Sequence, residues 1–372
     1  MIKLKNTPEQ VELVKAIGSR DPAVSGPATE AFAAAIGPVI QEVLLHAGTS
    51  SLIYSDYEFN EDDNQSIPLD LFRNEGVDYV RVWASSPIAG NLATSEIAGA
   101  EEMKFTTYTL ESAVSFLKKY ARKSNFNVLS RAVERMLNET LFKQELQGWA
   151  VILRALGEAS TDVNGTATKH TVAAGTAGTF KIDDLSRLIT RTKRIEHAYT
   201  QGTPTSVYSK GITDLWVSPE VKEDIRAFAY NPMNTTSVPN TDESANLALP
   251  DSIREKIYNS AGASSLFDIN MTDLNEFGTG QIYNTLFAAY ATAGIAPASA
   301  NFAAASNEIL VGADLSRQSA LRPVARDGNN GSTAVVLADD QFRVRDDRVG
   351  FYIRLQEGRL ILDSRAFAGI VL

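Results

Sequence analysis

The amino-acid sequence predicts an α+β chain whose helical, β-rich and mixed stretches follow one another in blocks. Three observations carry this. From about Asn127 to Ala159 apolar residues recur at helical spacing far beyond ordinary helix length. Between Ser50 and Met103 the text is short β-rich runs separated by acidic, Gly and Asn punctuation. From Gly350 to Leu372 apolar and polar residues alternate, and the stretch closes on Ile370, Val371 and Leu372.

Residues 1–48 read as an arm with two helices. The first begins at Pro8, carries Val11, Leu13, Val14 and Ile17, and ends near Gly18. The second runs from Pro27 towards His46 with Phe32, Ile36, Val39, Ile40, Val43 and Leu44 on one side. Pro38 should interrupt it, because proline lacks the N–H and crowds the preceding turn. Residues 49–102 hold "SLIYSDYEF", "SIPLDLF" and "VDYVRVWA". In the last of these Val77, Tyr79 and Arg81 share one face, Asp78, Val80 and Val82 the other, and Trp83 follows. Such a ribbon has no core of its own and must lie against something else.

"KFTTYTL" (Lys104–Leu110) reads as a strand, followed by a short connecting helix. The long helix then carries Val128, Leu129, Ala132, Val133, Met136, Leu137, Leu141, Ala150, Leu153 and Leu156. Asn125 or Asn127 can cap it and Gly157 marks its end. Its length would be on the order of 50 Å. Gly148 argues against one straight rod. After a Thr/Gly/Ala-rich turn (Thr161–Gly178), Asp183 can cap a helix through Leu185, Leu188, Ile189 and Ile195. "DLWVSPEVKEDIRAF" gives a strand (Asp214–Val217), Ser218 as helix cap, Pro219 at the first helical position and Glu220 in the first turn. A helix near Ser252–Asn259 and the strand "EILVGAD" (Glu308–Asp314) follow. At the end Phe351, Ile353 and Leu355 face one way and Tyr352, Arg354 and Gln356 the other; Glu357-Gly358 turns the chain, and Leu360 and Leu362 resume the apolar face.

At 372 residues, 44% hydrophobic and 22% charged, the chain can bury a large core in one or two domains. The net charge is −10 and the pI near 5.0. Its densest basic stretches, Lys118–Lys123 and Arg191–Arg194, read as solvated helix faces, which weighs against tight nucleic-acid binding. Cysteine is absent, excluding disulfides and thiolate metal sites. "MIKLKNTPEQ" has no apolar signal core, and the apolar stretch Phe32–Ile40 is far short of the roughly 20 residues of a membrane span. The expectation is a soluble, cytoplasmic chain with no membrane partner.

Chemistry-bearing patterns are sparse. His46, His170 and His197 stand alone, without HExxH spacing. No GxSxG elbow occurs, and "GTAGTF" (Gly175–Phe180) and "FGTGQIY" (Phe277–Tyr283) match neither a P-loop nor a dinucleotide fingerprint. They read as turns, as does "DGNNG" (Asp327–Gly331). The acidic run "DYEFNEDDN" (Asp56–Asn64) lacks the DxDxDG pattern of a calcium loop and reads as solvated. No catalytic residue, metal or cofactor is implied. The rival from another class is a soluble α/β enzyme using carboxylates such as Asp183 or Glu220.

The succession of parts resembles the major capsid protein of tailed double-stranded DNA bacteriophages, the HK97-like (Hong Kong 97-type) fold. Lys104–Leu156 is similar to that family's peripheral strand leading into its spine helix, Asp214–Phe228 to its axial strand-to-helix turn, and Asn307–Pro323 with Phe342–Leu372 to its return strands. The resemblance implies an N-arm (1–48), an extended loop or E-loop (49–102), a peripheral domain with the spine helix (103–179), an axial domain (180–340) and strands returning to the peripheral domain (341–372). It implies a homo-oligomer: hexamers and pentamers of an icosahedral head in the virion, assembled in the host bacterial cytoplasm and enclosing DNA without specific binding. Cement, scaffolding and portal proteins are the partner classes it brings. Phe32, Ile36, Val39, Val43, Val77, Tyr79, Val82, Trp83, Ile370 and Leu372 are the expected inter-subunit contacts. An encapsulin, a nanocompartment shell of the same fold, is the alternative.

Two departures from the family bear on mechanism. Some members join subunits by a Lys–Asn isopeptide bond between extended loop and peripheral domain. Here no lysine lies between Ser50 and Met103, and no lysine or asparagine between Gln341 and Leu372. Denatured particles should therefore release single 40.3 kDa chains. No long charged scaffold segment precedes the arm, so a separate scaffolding protein, or none, is expected.

Overall fold

Thr7 opens the first helix, its hydroxyl accepting from the Gln10 N–H, and Pro8 takes the first helical position. The computed structural model describes residues 7–60, 64–68, 102–123, 126–161, 167–199, 211–230, positions 252, 254, 255 and 257, 265–292, 302–326, 334–339 and 347–372. They fall into two units of interleaved segments. The first takes Met1–Ser66, Lys104–Gly148 and Ala320–Leu360; the second takes Ile67–Met103, Trp149–Ser319 and Ile361–Leu372.

The first unit is a sheet with helices on one face. Its strands are β1 (Ser55–Asn60), β4 (Tyr108–Leu117), β12 (Ala320–Arg326), β13 (Ala334–Asp339), β14 (Arg348–Glu357) and the short β15 (Leu360–Ile361), which pairs with β12. Strands β2 (Ser66–Pro68) and β3 (Glu102–Lys104) pair as a two-stranded sheet of their own. Strand β14 is the hub: β4 pairs antiparallel along its whole length, β13 pairs antiparallel with Gly350–Leu355, and β12 joins at Glu357. Strand β1 runs parallel to β12. In β14, Val349, Phe351, Ile353 and Leu355 point to the core while Arg354 meets solvent, the alternation of an antiparallel sheet covered on one side.

Three helices supply that cover: α1 (Pro8–Ile17), α2 (Pro22–His46) and the first part of α4 (Phe126–Leu156). Val14 and Ile17, then Phe32, Ile36, Ile40 and Leu44, then Leu129, Val133, Met136 and Leu137 form one cluster with the β14 stripe. The rings of Phe32 and Phe351 lie 5.3 Å apart. Helix α1 docks end-on against α3 (Lys118–Arg122): a side chain at Gly18 would sit 2.6 Å from the Arg122 nitrogen, so only glycine fits. The Arg122 Nε–H donates to the Gly18 carbonyl at 2.7 Å, a cation closing the helix C-terminus.

The second unit contains a sheet buried on both faces. Its strands are β7 (Thr171–Ala173), β8 (Asp214–Val217), β9 (Ser265–Leu266), β10 (Ile269–Asp273), β11 (Ile309–Ala313) and β16 (Phe367–Val371), in the order β7-β16-β11-β8-β10-β9. Strands β5 (Ala159–Thr161) and β6 (Ala167–Lys169) form a separate pair. Leu215, Val217, Leu310, Ala368 and Ile370 share a core with Leu185 and Leu188 of α5 (Ile182–Tyr199) and with Val221 and Ile225 of α6 (Pro219–Tyr230). Trp216 turns to the other face, where Trp149, Phe277 and Tyr283 meet edge-on and tilted at 5.2–5.7 Å. Every residue of β11 is buried, the pattern of a strand covered on both sides. Helix α7 (Ile282–Thr292) completes the unit.

Several expectations are corrected. Helix α2 begins at Pro22, not Pro27: Asp21 caps it through the Ala23 N–H, and both Pro27 and Pro38 lie inside it. Pro22–Leu44 is long and apolar enough to cross a bilayer, longer than the Phe32–Ile40 stretch considered above; its apolar stripe packs on its own sheet. Strand β4 continues seven residues past Leu110, because Glu111, Ala113 and Ser115 are its solvent face and not an end. Helix α4 is continuous through Gly148, 31 residues or about 46 Å. Asn127 lies within it and so does not cap it, and Asn125 lies outside the described residues. Asp183 lies within α5 and does not cap it; from the third helical position Asp184 reaches back to accept the Lys181 and Gly175 N–H groups. Lys118 is buried and Arg122 pairs with Asp347, so Lys118–Lys123 is no solvated face. The closing residues do not return as one set of strands: β14 lies in the first unit's sheet and β16 is an interior strand of the second's.

Candidate functional site

Of the singled-out histidines, His170 alone has a described side chain. It is fully buried beside Asp363 and Arg365, and burial pushes its pKa down to about 4. The imidazole is neutral and structural. Asp183 and Glu220 are exposed on α5 and α6; Asp183 forms a surface pair with Arg187 one turn on. Among the described residues no three His, Cys, Asp or Glu side chains are placed to hold a metal. The two Gly-rich stretches are turns, with Gly178, Gly278 and Gly280 at positive φ. Asp327–Gly331 lies outside the described residues.

The acidic run is not simply solvated. Asp56 of β1 stands directly opposite Arg322 of β12, and Glu58, opposite Val324, lies diagonal to Arg326. The buried Arg322 grips Asp56 through two parallel hydrogen bonds of 2.6 and 2.8 Å, and Arg326 pairs with Glu58. These charge pairs hold β1 in register with β12.

Immediately before β1, one turn of α4 grips the chain. Thr49 precedes a short 3₁₀ turn, Ser50–Leu52, whose N-terminus has no side-chain cap of its own. Glu145 of α4 supplies it. Its carboxylate accepts the Thr49 and Ser50 hydroxyls, each at 2.8 Å, and the Ser50 N–H at 3.1 Å. An anion here meets exposed N–H groups and the positive end of the turn. Gly48, at φ +124°, admits the carboxylate; a side chain there would lie 2.1 Å from it. Gly148 lets the turn lie flat on the helix, since a side chain would collide with Ser50 at 2.9 Å. Its carbonyl accepts the Tyr54 hydroxyl at 2.9 Å.

Behind Tyr54 lies a buried ion pair. The Arg359 guanidinium sits 4.9 Å over the Tyr54 ring and donates to Glu357 at 3.3 Å, with both charged side chains at most 2% exposed. Glu357 also accepts Tyr108 Oη–H at 2.8 Å and Gln144 Nε2–H at 3.0 Å. Burial pushes the Tyr54 and Tyr108 phenols well above their ordinary range. Within β1, Tyr57 and Phe59 meet Phe105 edge-on, joining β1 to the residue after β3. What the arrangement fixes is the place of Tyr54 and β1 on the first unit's sheet.

The expected inter-subunit residues divide. Phe32 and Ile36 are buried in the first unit's own core, Ile370 and Leu372 in the second's. With no more than 7% of their surface exposed they have nothing to offer a neighbour, which corrects the expectation for these four. Val43 is half-buried against the same core as Phe32, and Val39 is 44% exposed. Val77, Tyr79, Val82 and Trp83 lie outside the described residues. Sequence reasoning missed Glu145, Glu357 and Arg359. The available signal was Gly148, a glycine inside a long helix, which marks a close approach.

No protein-family model matches the chain, and no curated protein does. Among solved structures the chain is similar to the capsid structure of the cyanophage P-SCSP1u, at 11% identity over 86% of each chain with a TM-score of 0.51. It is also similar to the capsid of an empty GTA particle, at 14% identity, 87% and 90% coverage and a TM-score of 0.47. The holo-SrpI encapsulin complex from Synechococcus elongatus gives 10% identity, 87% and 88% coverage and a TM-score of 0.42. At such identities what is shared with the cyanophage structure is the fold, a mixed α/β architecture spanning most of both chains.

Proposed function

We propose that the chain is the major capsid protein of a tailed double-stranded DNA phage, self-assembling as hexamers and pentamers into an icosahedral head. The observation that carries this reading is the fold shared with a cyanophage capsid over 86% of each chain. In this reading α1 and α2 are the N-arm, residues 61–101 the tip of the extended loop, α4 the spine helix and most of the second unit the axial domain. Glu145 and the Arg359–Glu357 pair hold the loop's root so that its far end is presented to the next subunit. Val77, Tyr79, Val82 and Trp83 on the loop, with Val39 on α2, are the proposed contacts. The net charge of −10 suits a shell that encloses DNA without gripping it. Cement, scaffolding and portal proteins are the partner classes, the virion the location and the host cytoplasm the place of assembly.

Electron microscopy of the purified protein tests the reading. Closed icosahedral shells are expected, empty when the chain is produced alone. A discrete monomer or dimer at all concentrations overturns it. Shells that co-purify with a protein cargo would reassign the chain to the nanocompartment class.

A further inference from the structure

We propose that Phe267, at the tip of the β9–β10 hairpin, is a contact to a second copy of this chain. The proposal rests on the shell reading above. Leu266 and Ile269 pair across the hairpin, leaving a two-residue turn of Phe267 and Asp268. Both take positive φ, 50° and 65°. Turns of this geometry are ordinarily built from Asn-Gly or glycine, because an L side chain at positive φ crowds its own backbone. Aspartate tolerates the conformation through local hydrogen bonds; phenylalanine has no such compensation. Phe267 is also 61% exposed, the most exposed aromatic side chain among the described residues.

Two penalties therefore coincide at one position, and the unit's own core gains from neither. Leu266 and Ile269 are buried on either side, so the tip is held from beneath and the ring is presented on a fixed support. Strand β9 is the outermost strand of its sheet among the described residues, which places the hairpin at the sheet's edge. A rigid, exposed aromatic at a strained turn has the character of an anchor for something outside the chain.

The size of the contact selects the partner. One aromatic tip offers about 150–250 Å², whereas a stable pair of proteins buries about 800 Å² on each side. Phe267 cannot hold an independent protein. It counts where other contacts already bring two surfaces together and the same small contact repeats around a closed assembly. A second copy of this chain meets that condition.

The test compares the wild-type chain with Phe267→Asn and Phe267→Leu. Asparagine accepts the left-handed backbone and removes the ring; leucine keeps an apolar side chain and the backbone penalty. Assembly is followed by light scattering across concentration, and melting of the unassembled chain is measured below that range. F267N is expected to melt higher than wild type by a few degrees yet to need about tenfold more protein to assemble, the loss of one modest contact. F267L should fall between the two. Assembly of F267N at the wild-type concentration overturns the proposal, and so does an assembly defect accompanied by lower melting, which would make Phe267 a folding residue. A wild-type chain that never assembles overturns the shell reading and this contact together; normal wild-type shells with a silent F267N overturn the contact alone.

Discussion

The chain is fastened in two places by opposite means. At the root of the excursion, in the first unit, the grip is polar: Glu145 on the Thr49–Ser50 turn, and Arg359 with Glu357 beneath Tyr54. At the closing strand, in the second unit, the grip is dry: Ile370 and Ala368 lie within a sheet between β7 and β11, in an apolar core. Apolar burial is non-directional and stabilises any arrangement that excludes water. Hydrogen bonds to a carboxylate hold only in one geometry. The turn before β1 is thus held in one geometry by its hydrogen bonds, and β16 is held in place by apolar burial.

Removing one member of each fastening should break them differently. Glu357→Ala leaves the Arg359 charge buried without its partner, at a cost of about 4 kcal/mol. Ile370→Ala removes a fully buried side chain from the sheet, at a cost of about 3 kcal/mol. The distinction lies in the repair. A Glu357→Leu, Arg359→Met double variant should regain most of the first loss, because the uncompensated charge has gone. Hydrogen exchange in peptides of β4 and β14 reads the first unit, and exchange in β11 and β16 the second. A double variant as unstable as Glu357→Ala would show that the pair, not the buried charge, is what matters.

The dry fastening also has an acid weakness. His170 precedes β7, and its N–H and carbonyl are both bonded, to the Glu158 carbonyl and the Gly369 N–H. Its folded-state pKa of about 4 lies below the ordinary 6.5. Between these values the unfolded chain binds the proton and the folded chain does not, so stability is fully present above 6.5 and is lost as pH falls towards 4. At pH 5 the loss is about 2 kcal/mol. Glu308, whose carboxyl is pushed up by burial, gives a slope of the opposite sign, so the comparison must be with His170→Gln. The urea midpoint of the wild type should drop between pH 7 and pH 5 by more than that of the variant; equal drops would remove His170 as the cause.

What could be read from the sequence follows the same division. Local signals were legible: Ser218 and Pro219 start α6, Gly18 ends α1, and the period of Leu129, Val133, Met136 and Leu137 gives α4 and its buried stripe. The alternation of Phe351, Ile353 and Leu355 gave the hub strand and its inner face. The start of α2 was misplaced: Asp21-Pro22 opens it, five residues before Pro27. The candidate site was almost wholly illegible. Glu145 meets Ser50 across 95 residues, Tyr108 meets Glu357 across 249 and Arg322 meets Asp56 across 266. Charged and hydroxyl side chains on a helix or strand look alike in sequence whether they face water or a distant partner, because periodicity encodes only which face is apolar. The division of the closing residues between two sheets was hidden for the same reason, since Ile353 and Ile370 carry equal apolar signals and differ only in which strands they meet.

The gentlest perturbation isolates direction from stability. Glu145→Gln keeps the size of the side chain but exchanges one accepting oxygen for an NH₂ group and removes the negative charge at the turn's N-terminus. Of the three donors that converge on the carboxylate, the two hydroxyls can rotate to suit the amide, while the Ser50 N–H cannot. The expected cost is about 1 kcal/mol, small against either core. Exchange of the amides from Ser50 to Tyr54 should rise about fivefold, while β14 and β16 stay at wild-type protection. If the root sets the course of the excursion, this variant folds normally yet assembles into fewer or misshapen shells, whereas an Ile370→Ala chain that still folds assembles normally. Unchanged protection from Ser50 to Tyr54 would mean that Gly148 and Tyr54 hold the root without the carboxylate.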